Sequence, residues 1–306
     1  MKALVVGVTG VIGQLLAKEL LARGHSVSGL DLASEEAWPE GVRKWSGDLR
    51  RTITQEAVRI ERPDVVVHLG TVSPLGKRGQ SRARVNLRGT QAVVEAVLKF
   101  GVRQMLFIGS HAYYGAAPDL PLCHRENEPP YAVETFPELS DFVAAELMAN
   151  VLLSTQPKVK LTVLRLCHSL GPSGRGALGR LLRGHRVPTV LGFDPLVQFM
   201  HEADLARAIR VAIEQELSGC YNVGGEHPLP LSTVIQNTGR VITPIPESLF
   251  RLSLGPFGLS EIPAGALSQF KYSILVDDGP FRTRTGFRSQ FDETATLSQF
   301  ASAFPV

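Results

Sequence analysis

Three glycines stand three residues apart in Gly7-Val8-Thr9-Gly10-Val11-Ile12-Gly13, directly after the apolar run Leu4–Val6. This spacing suits a turn that carries a diphosphate. Gly7 permits the tight turn, Gly10 lets the backbone approach the phosphates, and Gly13 lets the following helix pack close. The helix N-terminus adds amide donors and a positive dipole. Asp31 ends the next apolar stretch, HSVSGLDL, where a carboxylate can accept hydrogen bonds from ribose hydroxyls. It would repel a 2′-phosphate, and no Arg or Lys follows in DLASEE, so the pattern favours NAD over NADP. A second set of residues could move protons. Ser110 and His111 adjoin in IGSHAYYG, His168 follows LRLC, and Glu146 lies one helical turn beyond Phe142 in SDFVAAELMAN. Histidine titrates near neutrality, and a carboxylate can act as a base when desolvation raises its pKa.

Regular elements must hold these groups. Strands are expected at Leu4–Val6, in HSVSGLDL ending at Asp31, before Asp48, in DVVVHLG at 64–70, in QMLFIGS and in KLTVLRL at 160–166. Helices are expected after the glycine turn, over Leu87–Phe100 and across SDFVAAELMANVLLS. Their alternation predicts an α/β fold, a doubly wound parallel Rossmann sheet. Beyond Leu166 the pattern is broken by Pro and Gly, apart from a helix in HEADLARAIRVAIEQ and a strand in GCYNVGG. Residues 1–167 plus about 198–222 are therefore assigned to a dinucleotide-binding domain. Residues about 168–197 plus 223–306 are assigned to a smaller, discontinuous C-terminal substrate lobe.

Composition narrows the partners. The 306 residues are 44% hydrophobic and 20% charged, the balance of a globular chain. A net charge of +3 and a basic run at 175–186 without interleaved aromatics argue against nucleic acid. Apolar stretches are too short and too glycine-broken to span a bilayer. The N-terminal run enters the glycine turn without a cleavage pattern, so a cytoplasmic location is expected. Cys123, Cys167 and Cys220 lie far apart with no CxxC pair, which suggests neither a disulfide framework nor a metal site.

The GxxGxxG spacing resembles that of the extended short-chain dehydrogenase/reductase family, also called the NAD-dependent epimerase/dehydratase family. VVVHLGT is similar to its HLAA motif, VNLRGT to N-x-x-G-T, IGSHAYYG to S-S-x-x-V-Y-G, and LRLCHSLGP to L-R-x-x-N-x-x-G-P. QFMHEADLARA, CYNVGG and YSILVDDGPFRTRTGF extend the likeness over essentially the whole chain. The resemblance implies NAD held by Gly7, Thr9, Gly10, Val11, Ile12 and Gly13, by Asp31 and Leu32, by Asp48 and Leu49, and by Leu69, Gly70 and Thr71. It also implies a homodimer through the helices at 87–100 and 140–153.

The likeness fails at the chemistry. The family uses a Ser or Thr, a Tyr and a Lys; Ser110 matches the first. The Y-x-x-x-K pair falls on FVAAE, so Phe142 replaces the tyrosine and Glu146 the lysine. Tyr131 has prolines on both sides and is expected in a loop. Phe142 has no proton to exchange, and a carboxylate would raise a neighbouring acid's pKa instead of lowering it. Glu146 could still accept hydrogen bonds from the nicotinamide ribose. Ser110, His111, His168 and Glu146 are the candidate catalytic residues. Val197 stands where the family has an arginine that holds sugar-nucleotide diphosphates, and the apolar segment at 247–263 would suit an apolar ligand. The expectation is an atypical oxidoreductase, epimerase or dehydratase acting on a small hydroxy or keto compound rather than a UDP-sugar. The alternative is a catalytically silent NAD-binding sensor or scaffold.

Overall fold

The computed structural model describes residues 1–32, 37–72, 80–253 and 263–306. The apolar segment at 247–263 and the stretch after Leu32 thus lie largely outside the described residues. Seven strands form one sheet among the described residues: Lys2–Val6 (β1), Ser26–Asp31 (β2), Arg43–Ser46 (β3), Val65–His68 (β4), Gln104–Ser110 (β5), Lys160–Leu166 (β6) and Gly219–Val223 (β7). Their order is β7-β6-β5-β4-β1-β2-β3, with β1 parallel to β2 and β4, and with β2–β3 and β4–β5 also parallel. The helices Val11–Ala22 (α1), Ile53–Glu61 (α2), Gln80–Phe100 (α3), Ser140–Ser154 (α4) and Glu202–Glu214 (α5) make the longer connections. The fold is α/β and Rossmann-like.

Strand order locates the binding crevice. From β1 the chain turns toward β2, and from β4 it turns toward β5. The connections diverge at the carboxyl ends of these adjacent strands and leave an opening where ligands bind in such sheets. Gly7 and Leu69 are the first residues past those two ends. Every residue of β4 is buried, as a strand covered on both faces requires. One core packs Leu4, Val6, Val66, Met105 and Phe107 of the sheet against Val93, Val97, Ala145 and Ala149 of α3 and α4.

The chain divides into two compact units. The first is 1–109, 141–165 and 206–221; the second is 110–140, 166–205 and 222–306. The sequence-based division gave 110–140 and about 198–205 to the first. In the second unit Cys123–His124 pairs in parallel with Leu275–Val276, and Phe199–His201 with His168–Leu170. The first pairing ties the 110–140 segment to C-terminal residues, and the second ties 199–201 to the segment just after Leu166. Its core gathers Leu170, Val187, Val197, Phe199, Leu231, Ile235 and Phe300.

A Cβ on Gly13 would lie 2.5 Å from the Gly7 carbonyl oxygen and 2.8 Å from Val8 Cα, both backbone atoms. Gly13→Ala is expected to lower stability by about 1–3 kcal/mol, the usual effect of overpacking. Urea unfolding checks this through a lower midpoint at unchanged slope.

Candidate active site

The glycine turn is built by close backbone approach. Gly7 has φ +87°, and a Cβ there would meet the Leu69 carbonyl at 2.8 Å. Its N–H donates to Leu30 O at 2.9 Å, and Gly10 N–H returns to Gly7 O at 3.2 Å. Gly10, by contrast, is exposed, and a Cβ there would touch only Gly7 O, at 3.4 Å. Its open face is the one a ligand can approach. Gly10 is also the N-cap of α1 and brings no capping side chain. The first amides, at Val11, Ile12 and Gly13, therefore have no intrahelical acceptor and suit an anion. These residues fit a dinucleotide diphosphate.

Asp31 is held to the same turn. Its Oδ2 accepts from Thr9 N–H at 3.0 Å and Thr9 Oγ1 at 2.7 Å, and its Oδ1 accepts from Leu32 N–H at 2.8 Å. Three of roughly four acceptor positions are filled, and Asp31 stays partly exposed. Thr9 is thus a strut as well as a cofactor candidate. Asp48 is gripped by Arg50, whose Nε lies 2.9 and 3.0 Å from the two carboxylate oxygens. Hydrogen bonding to Arg50 is the chief cause that lowers the Asp48 pKa. Leu49 faces α3, where a Cβ on Gly89 would come within 2.3 Å of its Cδ1.

Past β4, Leu69 N–H continues the register to Val6 O at 2.8 Å, and Gly70 and Thr71 are partly exposed. A clasp then fixes Val72. Asn86 accepts from its N–H at 2.7 Å and donates to its carbonyl at 3.0 Å. Asn86 also donates to Asp141 at 2.9 Å, and Arg82 forks onto the same carboxylate at 3.0 Å twice. Sequence reading missed Arg82 and Asp141. The available signal was the one-turn spacing of Arg82 and Asn86 on α3.

Phe142 and Glu146 do lie on one face of α4, and both are buried. Tyr131 precedes a separate four-residue helix, Ala132–Thr135. Glu146 differs from its expected setting. Its side chain is 0% exposed, and its Oε1 accepts from Arg165 Nε at 2.9 Å and Nη2 at 2.8 Å. Its Oε2 is buried without a hydrogen-bond partner among the described residues, against Gly109, where a Cβ would sit 2.6 Å away. Burial pushes its pKa up, and Arg165 partly opposes that. As the protein stands, this carboxylate is a buried ion-pair member with no surface to offer a ribose. Arg165, on β6, was not anticipated as its partner.

Ser110, His111 and His168 come together in the second unit. His111 Nδ1 lies 3.1 Å from Leu166 O and 3.4 Å from Ser110 Oγ, and its Nε2 lies 3.2 Å from His168 Nε2. Burial drives the His111 pKa down to about 4, so the ring is neutral near pH 7. A carbonyl oxygen only accepts, so the single proton belongs on Nδ1. His111 Nε2 is then an acceptor, and His168 must donate to it from Nε2. His111 consequently cannot take the Ser110 proton. Ser110 Oγ accepts from Ala112 N–H at 3.2 Å, and its hydroxyl hydrogen can point to a substrate oxygen. Tyr114 is no spare acid: it is fully buried and donates to Asn222 Oδ1 at 2.7 Å. No cluster of His, Cys, Asp or Glu among the described residues could hold a metal ion.

This sheet, with its glycine turn and terminal aspartate, defines a dinucleotide-binding Rossmann protein. The chain belongs to the NAD dependent epimerase/dehydratase family, which it matches over residues 3–224. It is 31% identical over 267 residues to a 3-diazoavenalumate denitrifying reductase from a Streptomyces species, covering 84% of this chain and 86% of that one. An uncharacterised Mycobacterium tuberculosis protein is 30% identical over 266 residues, covering 83% and 69%. Among solved structures, the NAD complex of Thermus thermophilus UDP-glucose 4-epimerase superposes with TM-score 0.81 at 24% identity, covering 99% of both chains.

The titrating groups pull stability in opposite directions. Glu146 binds its proton more tightly when folded, so its contribution is complete below the ordinary 4.5 and is lost as pH rises through the raised value. His68 and His111, both lowered to about 4 by burial, contribute above 6.5 and lose that contribution as pH falls toward 4. Urea midpoints from pH 4 to 8 should show Glu146→Gln removing the loss on the alkaline side while the acid loss remains. Arg165→Met leaves a buried carboxylate unpaired and should lower stability by about 3–5 kcal/mol.

Proposed function

We propose that this protein is an NAD-dependent oxidoreductase that works without the tyrosine relay, on a small and largely apolar hydroxy or keto compound. The observation that carries the reading is the pair on α4, a buried phenyl ring at Phe142 and a carboxylate at Glu146 neutralised by Arg165. NAD would be held by the turn at Gly7–Gly13 and by Asp31, and supplies or accepts the hydride when bound. Ser110 would then orient the substrate oxygen through its hydroxyl hydrogen and could pass that proton to the alkoxide formed by hydride addition, regaining one from solvent. The Streptomyces relative supports this reading: by its name it is a reductase that removes nitrogen from a diazo compound. Val197 supports a substrate other than a sugar nucleotide, since it is buried in an apolar core and offers no cation to a diphosphate. The three cysteines are free thiols, which fits residence in the cytoplasm.

Calorimetry with NADH and NADPH tests the cofactor half, and NADH should bind more tightly. Asp31→Asn should weaken NADH by about 1.5–3 kcal/mol, the worth of a hydrogen bond to a charged group. For the chemistry, UDP-glucose epimerisation should run at least about 10²-fold below a tyrosine-bearing enzyme, the lower end of general acid–base contributions. Robust epimerisation would overturn the reading. Tight NADH binding without turnover of any ketone would favour a sensor or scaffold.

We also propose a homodimer through α3 and α4. Leu147, Val151 and Leu152 on α4 are exposed, Val151 by 67%, although the opposite face already packs into the core. An apolar stripe of this kind fits a second copy. Light scattering at micromolar concentration should give twice the chain mass, and Val151→Glu should reduce it to one.

A further inference from the structure

The two histidines carry a reading of the substrate that rests on the oxidoreductase function just proposed and deepens it. Among the described residues, His168 makes a side-chain hydrogen bond only through Nε2, to His111. The ring is partly exposed, and its backbone is fixed by pairing with Phe199, where His168 N–H donates to Gln198 O at 3.3 Å. His111 is fixed in turn by Leu166 O and meets His168 edge to face, with ring centroids 4.2 Å apart. Protons therefore run one way along the series. Leu166 O accepts from His111 Nδ1, and His111 Nε2 accepts from His168 Nε2. That leaves His168 Nδ1 as a lone pair without a hydrogen-bond partner among the described residues.

We propose that His168 Nδ1 is a fixed hydrogen-bond acceptor that selects a neutral hydroxyl or N–H donor on the substrate, with His111 as its positioning residue. An anionic group has no proton to offer and would face the lone pair directly. Rescue by forming an imidazolium is opposed chiefly by burial, which holds the His168 pKa well below the usual histidine value. The acceptor thus favours a neutral, hydroxyl-bearing molecule over a phosphate or carboxylate. A site that hydrogen-bonds a substrate hydroxyl also rejects an analogue lacking it, because the bound analogue would cover the acceptor and leave it unpaired.

Two measurements on the wild-type protein decide it. Long-range ¹H–¹⁵N correlation at pH 7 should show His111 protonated at Nδ1, and His168 protonated at Nε2 with Nδ1 bare. His111→Phe should leave His168 a mixture of tautomers. A proton on His168 Nδ1, or a charged ring, overturns the proposal. The probe p-cresol, a neutral donor, is then titrated into the NAD-loaded protein beside 4-methylanisole and 4-methylbenzoate. Only p-cresol should move the His168 Nδ1 resonance, and it should bind about fivefold more tightly than the anisole, as one neutral hydrogen bond provides. His168→Asn should abolish that preference. Equal responses, a stronger response to the benzoate, or none to p-cresol at its solubility limit overturns the proposal. A protein that binds NADH yet fails these tests loses only the acceptor, whereas one that passes the tautomer test without turnover loses the oxidoreductase reading.

Discussion

The buried pair of Glu146 and Arg165 is the constraint to which the first unit's chemistry is tied. A carboxylate wholly removed from water must be paired, because leaving it alone is strongly destabilising. Arg165 satisfies Oε1 twice, and the missing side chain of Gly109 makes room for Oε2. Three elements are joined by this arrangement: α4, β6 and the end of β5. A lysine at 146 would place two cations together in a space shaped for one ion pair. Restoring the family's Tyr and Lys at 142 and 146 alone would accordingly disrupt packing before it restored any relay. The substitution is a coupled set of residues and not a single lost group.

Much of this was legible in the chain because it is local. The glycine spacing and the apolar β4 run each act over a few residues, and the fold they imply is the one found. The FxxxE pair was legible too, since one helical turn fixes its geometry. Its electrostatics were not. Arg165 lies nineteen residues from Glu146, and only the neighbouring positions of a helix and a strand bring them together. Thr9 was read as part of a phosphate turn, but its hold on Asp31 depends on the pairing of β1 with β2. Strands of two or three residues, such as Cys123–His124, are too short to show a period of two. Their pairing with the C-terminal residues is what shifts 110–140 into the second unit.

The histidines show how far residue types carry without geometry. Ser110 beside His111 suggests two groups that exchange a proton, but the nearest acceptor to His111 Nδ1 is the Leu166 carbonyl. One backbone oxygen thus fixes the tautomer and leaves the serine its proton. The same oxygen, through one more hydrogen bond, determines which nitrogen of His168 is bare. Catalytic serine–histidine pairs depend on the opposite assignment. The distinction turns on a single proton, and no spacing rule in the sequence encodes it.

The departures from the family pattern have a common electrostatic sense. The tyrosine becomes a phenyl ring, the lysine becomes half of a neutral pair, the diphosphate-binding arginine becomes Val197, and two histidines are held uncharged by burial. The first three changes each remove a free charge or an ionisable group, and the two histidines, which are additions, are kept from becoming cations. A lysine cation near a nicotinamide ring opposes its oxidised form, which is itself positive. If NAD binds here as proposed, a carboxylate already balanced by Arg165 in place of that cation would leave the oxidised ring without this repulsion. Under the proposed reading this favours loss of hydride from the reduced cofactor.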